Sequence, residues 1–187
     1  MYPSLHLIIA AIWVISEILL SRLLRSSQTD KTQADKQSLR IIWITVMIAL
    51  PLAHFLSLQL NWEICSSPVL HRLGLAMILA GMVFRAIAVY TLGRYFTVDV
   101  AIRSDHKIVR KGVYRYLRHP SYLGVLVSFL GNALAFNSWA AALVGFLPVL
   151  AVFLYRMKIE EELLVSNFGE EYLDYKKGTW RLIPFIY

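Results

Sequence analysis

Apolar residues run along this chain in long blocks rather than in alternation or in narrow stripes. The blocks fall at about 5–24, 41–60, 73–93, 122–136 and 139–155. The first three are long enough to cross a bilayer as single helices, which takes about 20 predominantly apolar residues. The last two are shorter, and only Asn137 and Ser138 separate them. They predict a tight antiparallel helical hairpin whose second arm is bent at Pro148. Polar stretches at 25–40, 61–72 and 94–121 divide the other blocks, and a polar-amphipathic tail, 156–187, follows. The pattern predicts an all-α, polytopic integral membrane protein with five transmembrane helices, a C-terminal helical hairpin and an amphipathic tail helix. It divides into residues 1–93, three spans joined in part by the loop 25–40, and residues 94–187. The second part holds the loop 94–121, the hairpin 122–155 and the tail helix 156–187.

Composition agrees with the blocks. Of the 187 residues 58% are hydrophobic and only 17% charged, against about a quarter charged in soluble domains. This excludes a disordered tail, a disulfide scaffold and an ordinary water-soluble domain. The single cysteine, Cys65, has no partner for a disulfide or a thiolate metal site. The first block has no basic region ahead of it and no small-residue cleavage signal, so it reads as a retained span rather than a removable signal peptide.

The net charge of +7 raises the question of nucleic acid, and the placement of the charges answers it. Five Lys/Arg fall in 22–40, seven in 94–118 and five in 156–181. With five spans, all seventeen lie on one side of the membrane, while Arg72 lies on the other and Arg85 lies inside a span. The positive-inside rule then gives N-out, C-in. The basic excess is a topology signal, with attraction to anionic lipid headgroups as its corollary.

Two features sit within the spans. Gly124, Ser128, Gly131 and Ala135 share one helical face, and Ala140, Ala141, Ala142 and Gly145 open the next block. Small faces of this kind let membrane helices approach closely, here suiting a compact hairpin. Glu17 and Arg85 are charges inside apolar runs, both toward the inner ends of parallel spans. They are placed to pair or to snorkel, with contact to substrate as the other reading.

Candidate chemistry is concentrated in two clusters. Residues 92–124 hold His106, Tyr114, Tyr116, His119 and Tyr122 among basic residues, directly before the hairpin. Pro120 disfavours helix at His119 and suits the first position of the next helix. Residues 118–121 should therefore turn into a helix N-terminus, where backbone N–H groups favour anions. An interfacial loop has the same basic and aromatic composition, so composition alone does not separate the two readings. In the second cluster Arg156 and Glu160 share a helix face at i, i+4. Glu160, Glu161 and Glu162 are consecutive, so at least one faces protein, while Leu163, Leu164 and Phe168 give an apolar face ending at Gly169. Tyr172, Tyr175 and Trp180 suggest an element lying at the membrane interface. The five histidines show no metal-ligand spacing, and no dinucleotide or phosphate loop is present.

Together the two clusters resemble the isoprenylcysteine carboxyl methyltransferase family. The matching residues are His106-Lys-Ile-Val109, Gly112-Val-Tyr114, Arg118-His-Pro-Ser-Tyr122-Leu-Gly124, Arg156-x-x-x-Glu160-Glu-Glu and Phe168-Gly-Glu-Glu-Tyr172-Leu-x-Tyr175. An Arg-His-Pro alone is weak; the ordered set with a hairpin between its halves is specific. It covers 94–187, and the first three spans are generic.

The resemblance implies an integral-membrane enzyme that uses S-adenosyl-L-methionine without a Rossmann domain, its site on the cytosolic side of a bacterial or archaeal plasma membrane or of the endoplasmic reticulum. By motif position, His106, Lys107, Ile108, Val109, Tyr114, His119, Pro120, Ser121, Tyr122 and Glu160 would bind the cofactor. Arg156 would orient the acceptor carboxylate as the catalytic residue, and no metal is implied. Asp99 stands where some relatives have a neutral polar side chain. The implied acceptor is a lipophilic carboxylate such as an isoprenylcysteine, entering from the bilayer. Eukaryotic relatives have further N-terminal spans that help build the acceptor surface, so a small thiol or a lipid amine stays open. An NADPH-dependent sterol-type reductase, whose C-terminal half is similar, and a non-catalytic membrane module are the remaining alternatives.

Overall fold

The computed structural model describes residues 3–24, 36–98 and 106–185, with the side chains of residues 3, 4 and 36 left aside. Five long helices follow the apolar blocks: α1 (Pro3–Leu23), α2 (Lys36–Gln59), α3 (Pro68–Leu92), α4 (Pro120–Ala135) and α5 (Trp139–Phe168). A short helix, α6 (Glu170–Lys177), ends the chain's helical part. Four of the five are long and apolar enough to cross a membrane, and α4 is a shorter apolar helix of 16 residues. At 1.5 Å per residue α4 spans only about 24 Å, less than the roughly 30 Å of hydrocarbon. It is also largely buried by its neighbours.

Local sequence explains the helix ends. Ser67 caps α3 by accepting from the Val69 amide, with Pro68 in the first turn. Pro120 opens α4, as its fixed φ and missing N–H favour. Ser138 caps α5 by accepting from the Ala141 amide at 3.4 Å. Gly169, at φ +52°, stops α5 and lets the chain turn into α6.

The structure departs from the pattern-based expectation at three places. Ahead of Pro148 the helix widens into a π-turn over Ala142–Phe146. A proline cannot donate to the preceding turn and crowds its carbonyl, and a widened turn relieves both problems. The second difference is that α5 does not end with the apolar block but runs to Phe168, so Arg156 and Glu160–Glu162 lie on the fifth helix itself. The separate tail helix is only Glu170–Lys177.

Third, the small-residue face of α4 packs on α3 and not chiefly on its hairpin partner. A Cβ added to Gly124 would lie 2.8 Å from the Gly81 carbonyl oxygen, and one added to Gly131 would lie 2.6 Å from that of Gly74. The α3–α4 pair is the most extensive helix interface. Around it Trp13, Ile78, Phe129, Val149, Phe153 and Met157 form the core, with Trp13 set edge-on to Phe129 at 4.6 Å.

Glu17 and Arg85 pair at 2.7 Å, joining α1 to α3. Arg85 also donates to the Ser121 hydroxyl at 2.9 Å and to its carbonyl at 3.3 Å. The intramembrane charges are thus structural partners, and they fasten the first turn of α4.

Candidate functional site

A cavity opens where the last turn of α3, the first turn of α4, the end of α5 and α6 meet, enclosing about 850 Å³ counting its open mouth. His106, Lys107, Ile108 and Val109 form one side, with Tyr114 from a 3₁₀ turn at Gly112–Arg115. His119, Ser121 and Tyr122 contribute from the start of α4, and Arg156 and Glu160 from α5. Ten of the eleven residues expected from motif position therefore reach one cavity. Pro120 does not line it; it is fully buried and shapes the turn. Asp99 lies outside the described residues.

The centre of the cavity is a chain of polar contacts. Tyr122 donates its hydroxyl to Glu160 Oε2 at 2.5 Å and accepts from Arg156 Nε at 2.9 Å. Arg156, only 2% exposed, also donates to the Ser38 hydroxyl at 2.8 Å and to the Val98 carbonyl. One guanidinium thus ties α5 to α2, to the segment after α3 and to α4. The His119 ring lies parallel to that of Tyr122, 5.4 Å away, and its Nδ1 is 4.0 Å from Glu160. Its Nε2 is 3.2 Å from Glu161.

Aromatic rings make the remaining wall. Tyr95 and His106 stand 5.4 Å apart between centroids, and Phe168 backs His106 at 5.7 Å without lining the cavity. Tyr172 and Tyr175 of α6 line the side nearest the tail. Tyr175 donates its hydroxyl to the Tyr114 carbonyl at 2.6 Å, fixing α6 to the 3₁₀ turn. Burial pushes the hydroxyls of Tyr114 and Tyr172 well above the ordinary range, and that of Tyr175 up to about 12. All three stay protonated, and that of Tyr175 donates.

Motif reasoning missed the turn after α3 (Tyr95, Phe96 and Thr97), and it missed Arg118, Leu163, Leu164, Tyr172 and Tyr175 as lining residues. Tyr172 and Tyr175 carried a signal, an i, i+3 spacing that sets both rings on one face of α6. Of the amides in the expected anion-binding turn, two are taken within the protein. The amides of Arg118 and His119 donate to the Trp180 and Arg181 carbonyls at 2.9 and 3.1 Å. The tail therefore takes up both amides ahead of Pro120.

Comparison with known proteins follows the same region. Residues 74–166 match the model of the isoprenylcysteine carboxyl methyltransferase family. Protein-S-isoprenylcysteine O-methyltransferase B of Arabidopsis thaliana is 36% identical over 115 residues, which is 60% of this chain and 58% of that protein. The Saccharomyces cerevisiae enzyme is 34% identical over 61% of this chain and 48% of its own length. The Rattus norvegicus enzyme is 39% identical over 60% of this chain and 40% of its own length. Each match thus takes in less than two thirds of the relative. Among solved structures, a eukaryotic intramembrane Ras methyltransferase matches with a TM-score of 0.61 and 26% identity. That match covers 97% of this chain and 65% of the other.

Proposed function

We propose, from the premise that residues 74–166 of this chain belong to the isoprenylcysteine carboxyl methyltransferase family, that the protein is an integral-membrane methyltransferase. It transfers a methyl group from S-adenosyl-L-methionine to a lipophilic acceptor, and an isoprenylcysteine-like carboxylate fits best. The observation that carries this reading is the joining of Glu160 and Arg156 through one tyrosine hydroxyl inside an aromatic-walled cavity.

The donor set suits the cofactor. Its ammonium and sulfonium call for a carboxylate and for aromatic faces, which Glu160, Tyr95, Tyr114 and Tyr172 offer. Its carboxylate calls for a cation at the rim, where the exposed Lys107 stands. When bound it supplies an electrophilic methyl group: an acceptor carboxylate oxygen forms the new C–O bond as the C–S bond breaks, and no proton moves. The residues then need only bind, align and exclude water. Alignment of this kind is worth roughly 7–11 kcal/mol of barrier. Arg156 orients the acceptor rather than activating it, since a tight ion pair would blunt the nucleophile. The basic segments flank the cavity end of the bundle, consistent with N-out, C-in and a cytosolic site.

The test is calorimetry on detergent-purified protein with S-adenosyl-L-methionine and with NADPH. Labelled methyl transfer to a prenylcysteine, a thiol and a phospholipid amine follows. Binding of NADPH alone would sink the proposal in favour of a reductase, and binding of neither would favour a non-catalytic module. Glu160→Gln should weaken cofactor binding about tenfold, the worth of one charge-assisted hydrogen bond. Arg156→Ala should abolish transfer. Wild-type cofactor affinity in Glu160→Gln would remove Glu160 from the site.

A further inference from the structure

Glu161 stands beside the proposed cofactor carboxylate in sequence but does not line the cavity. Its side chain is only 8% exposed, and four basic side chains from three segments surround it. Arg118 Nε donates to Oε1 at 2.9 Å and His119 Nε2 lies 3.2 Å from the same oxygen, both from the turn before α4. Lys176 of α6 reaches Oε2 at 3.2 Å, and Arg181 of the tail reaches Oε1 at 3.2 Å. Glu162, the next residue, is 66% exposed and meets only Lys158, at 3.9 Å, among the ion pairs of the described residues.

The same three segments are joined by backbone. Besides the two amides taken by the tail, the Trp180 amide donates to the Tyr116 carbonyl at 3.0 Å. Arg118 spans both sides, donating also to the carbonyls of Lys176 and Thr179. The tail is thus hydrogen-bonded to the turn that carries Arg118 and His119, two cavity-lining residues. It also carries Lys176, which follows directly on Tyr175 of the aromatic wall. Without a carboxylate at position 161, three permanent cations would face one another in a poorly hydrated space, where like charges repel strongly.

We infer that Glu161 is a positioning residue: its carboxylate is the shared counter-ion that holds α6 and the tail against the Arg118–His119 turn and so completes the cofactor wall. It acts through His119, Arg118, Tyr172 and Tyr175 and does not touch the reacting atoms. The effect on the cofactor rests on the methyltransferase reading; the clamping of the tail does not.

The experiment has two arms on the full-length protein in detergent. Amide hydrogen exchange over 170–182 is compared in wild type, Glu161→Gln, Glu162→Gln and the double variant Glu161→Gln/Arg181→Gln. Glu161→Gln should raise exchange in 170–182 at least tenfold while α3 and α4 stay protected. Glu162→Gln should match wild type. The double variant should recover part of the protection, because removing one cation relieves the repulsion. A role in packing or hydrogen bonding alone would make the double variant worse, and that result, or unchanged exchange in Glu161→Gln, overturns the inference. The second arm measures steady-state methyl transfer. Glu161→Gln should raise KM for S-adenosyl-L-methionine about tenfold and change kcat less than threefold, and a fall in kcat at unchanged KM refutes the wall-completing role. If wild type binds no S-adenosyl-L-methionine, the methyltransferase reading fails and the exchange arm alone decides the clamp.

Discussion

Tyr122→Phe removes one oxygen from the centre of the site and little else. The ring keeps its parallel contact with His119 and its edge contact with Phe153, each at 5.4 Å. Two charge-assisted hydrogen bonds are lost, one to Glu160 Oε2 and one from Arg156 Nε. Bonds to charged groups contribute about 1.5–3 kcal/mol each, but the two losses are unequal. Glu160 is 29% exposed on its side chain, so water can replace the hydroxyl there. Arg156 is 2% exposed and water cannot readily reach its Nε–H. The cost should therefore fall near one buried bond, about 2–3 kcal/mol, rather than the full sum of about 3–6. Equilibrium unfolding in mixed micelles reads this, with Tyr155→Phe, whose ring is 51% exposed, as the control. A cycle with Glu160→Gln should show a coupling of about 0.5–1 kcal/mol, the smaller share assigned to the wet end. A Tyr122→Phe protein within about 0.5 kcal/mol of wild type would refute the argument, because changes of that size are ordinary for surface sites.

Two further outcomes follow from the same geometry. Gly81→Ala should sharply reduce recovery of monodisperse protein on size exclusion, since its Cβ would lie 2.5 Å from the Gly124 carbonyl oxygen, whereas Gly178→Ala, with nothing within 4 Å, should not. Alkaline pH should release α6: Tyr175 titrates at about 12 when folded against 10.0 ordinarily, so its contribution is intact below pH 10 and lost as pH rises toward 12. Exchange in 170–177 should climb across that window, and Tyr175→Phe should flatten the climb, leaving the share from Tyr114 and Tyr172; no change in slope would refute the assignment.

Much of this arrangement is legible in the chain because it is local. A proline opening α4, a glycine ending α5 and unbroken apolar blocks act through the residues beside them, and the helices fall where these signals lie. The motif residues converge because short turns carry them. What stays hidden is which surface each face meets. Periodicity puts Gly124, Ser128 and Gly131 on one stripe, yet it cannot say that the stripe meets Gly74 and Gly81 of α3 rather than α5. The same limit applies to the three glutamates, because successive helix positions point about 100° apart. One therefore faces the cavity, one faces a cluster of cations and one faces outward, and only the folded-back tail decides which.

The charges hide their second role for a related reason. Arg118, Lys176 and Arg181 belong to the seventeen basic residues that the positive-inside count places on one side, and that count leaves no remainder for them to explain. In the fold the same three converge on Glu161. A cation that is already explained by orientation gives no sequence signal that it is also a partner. The excess positive charge is therefore assigned two jobs at one surface: by the positive-inside count it orients the chain, and through a single buried carboxylate it holds the tail against the cavity.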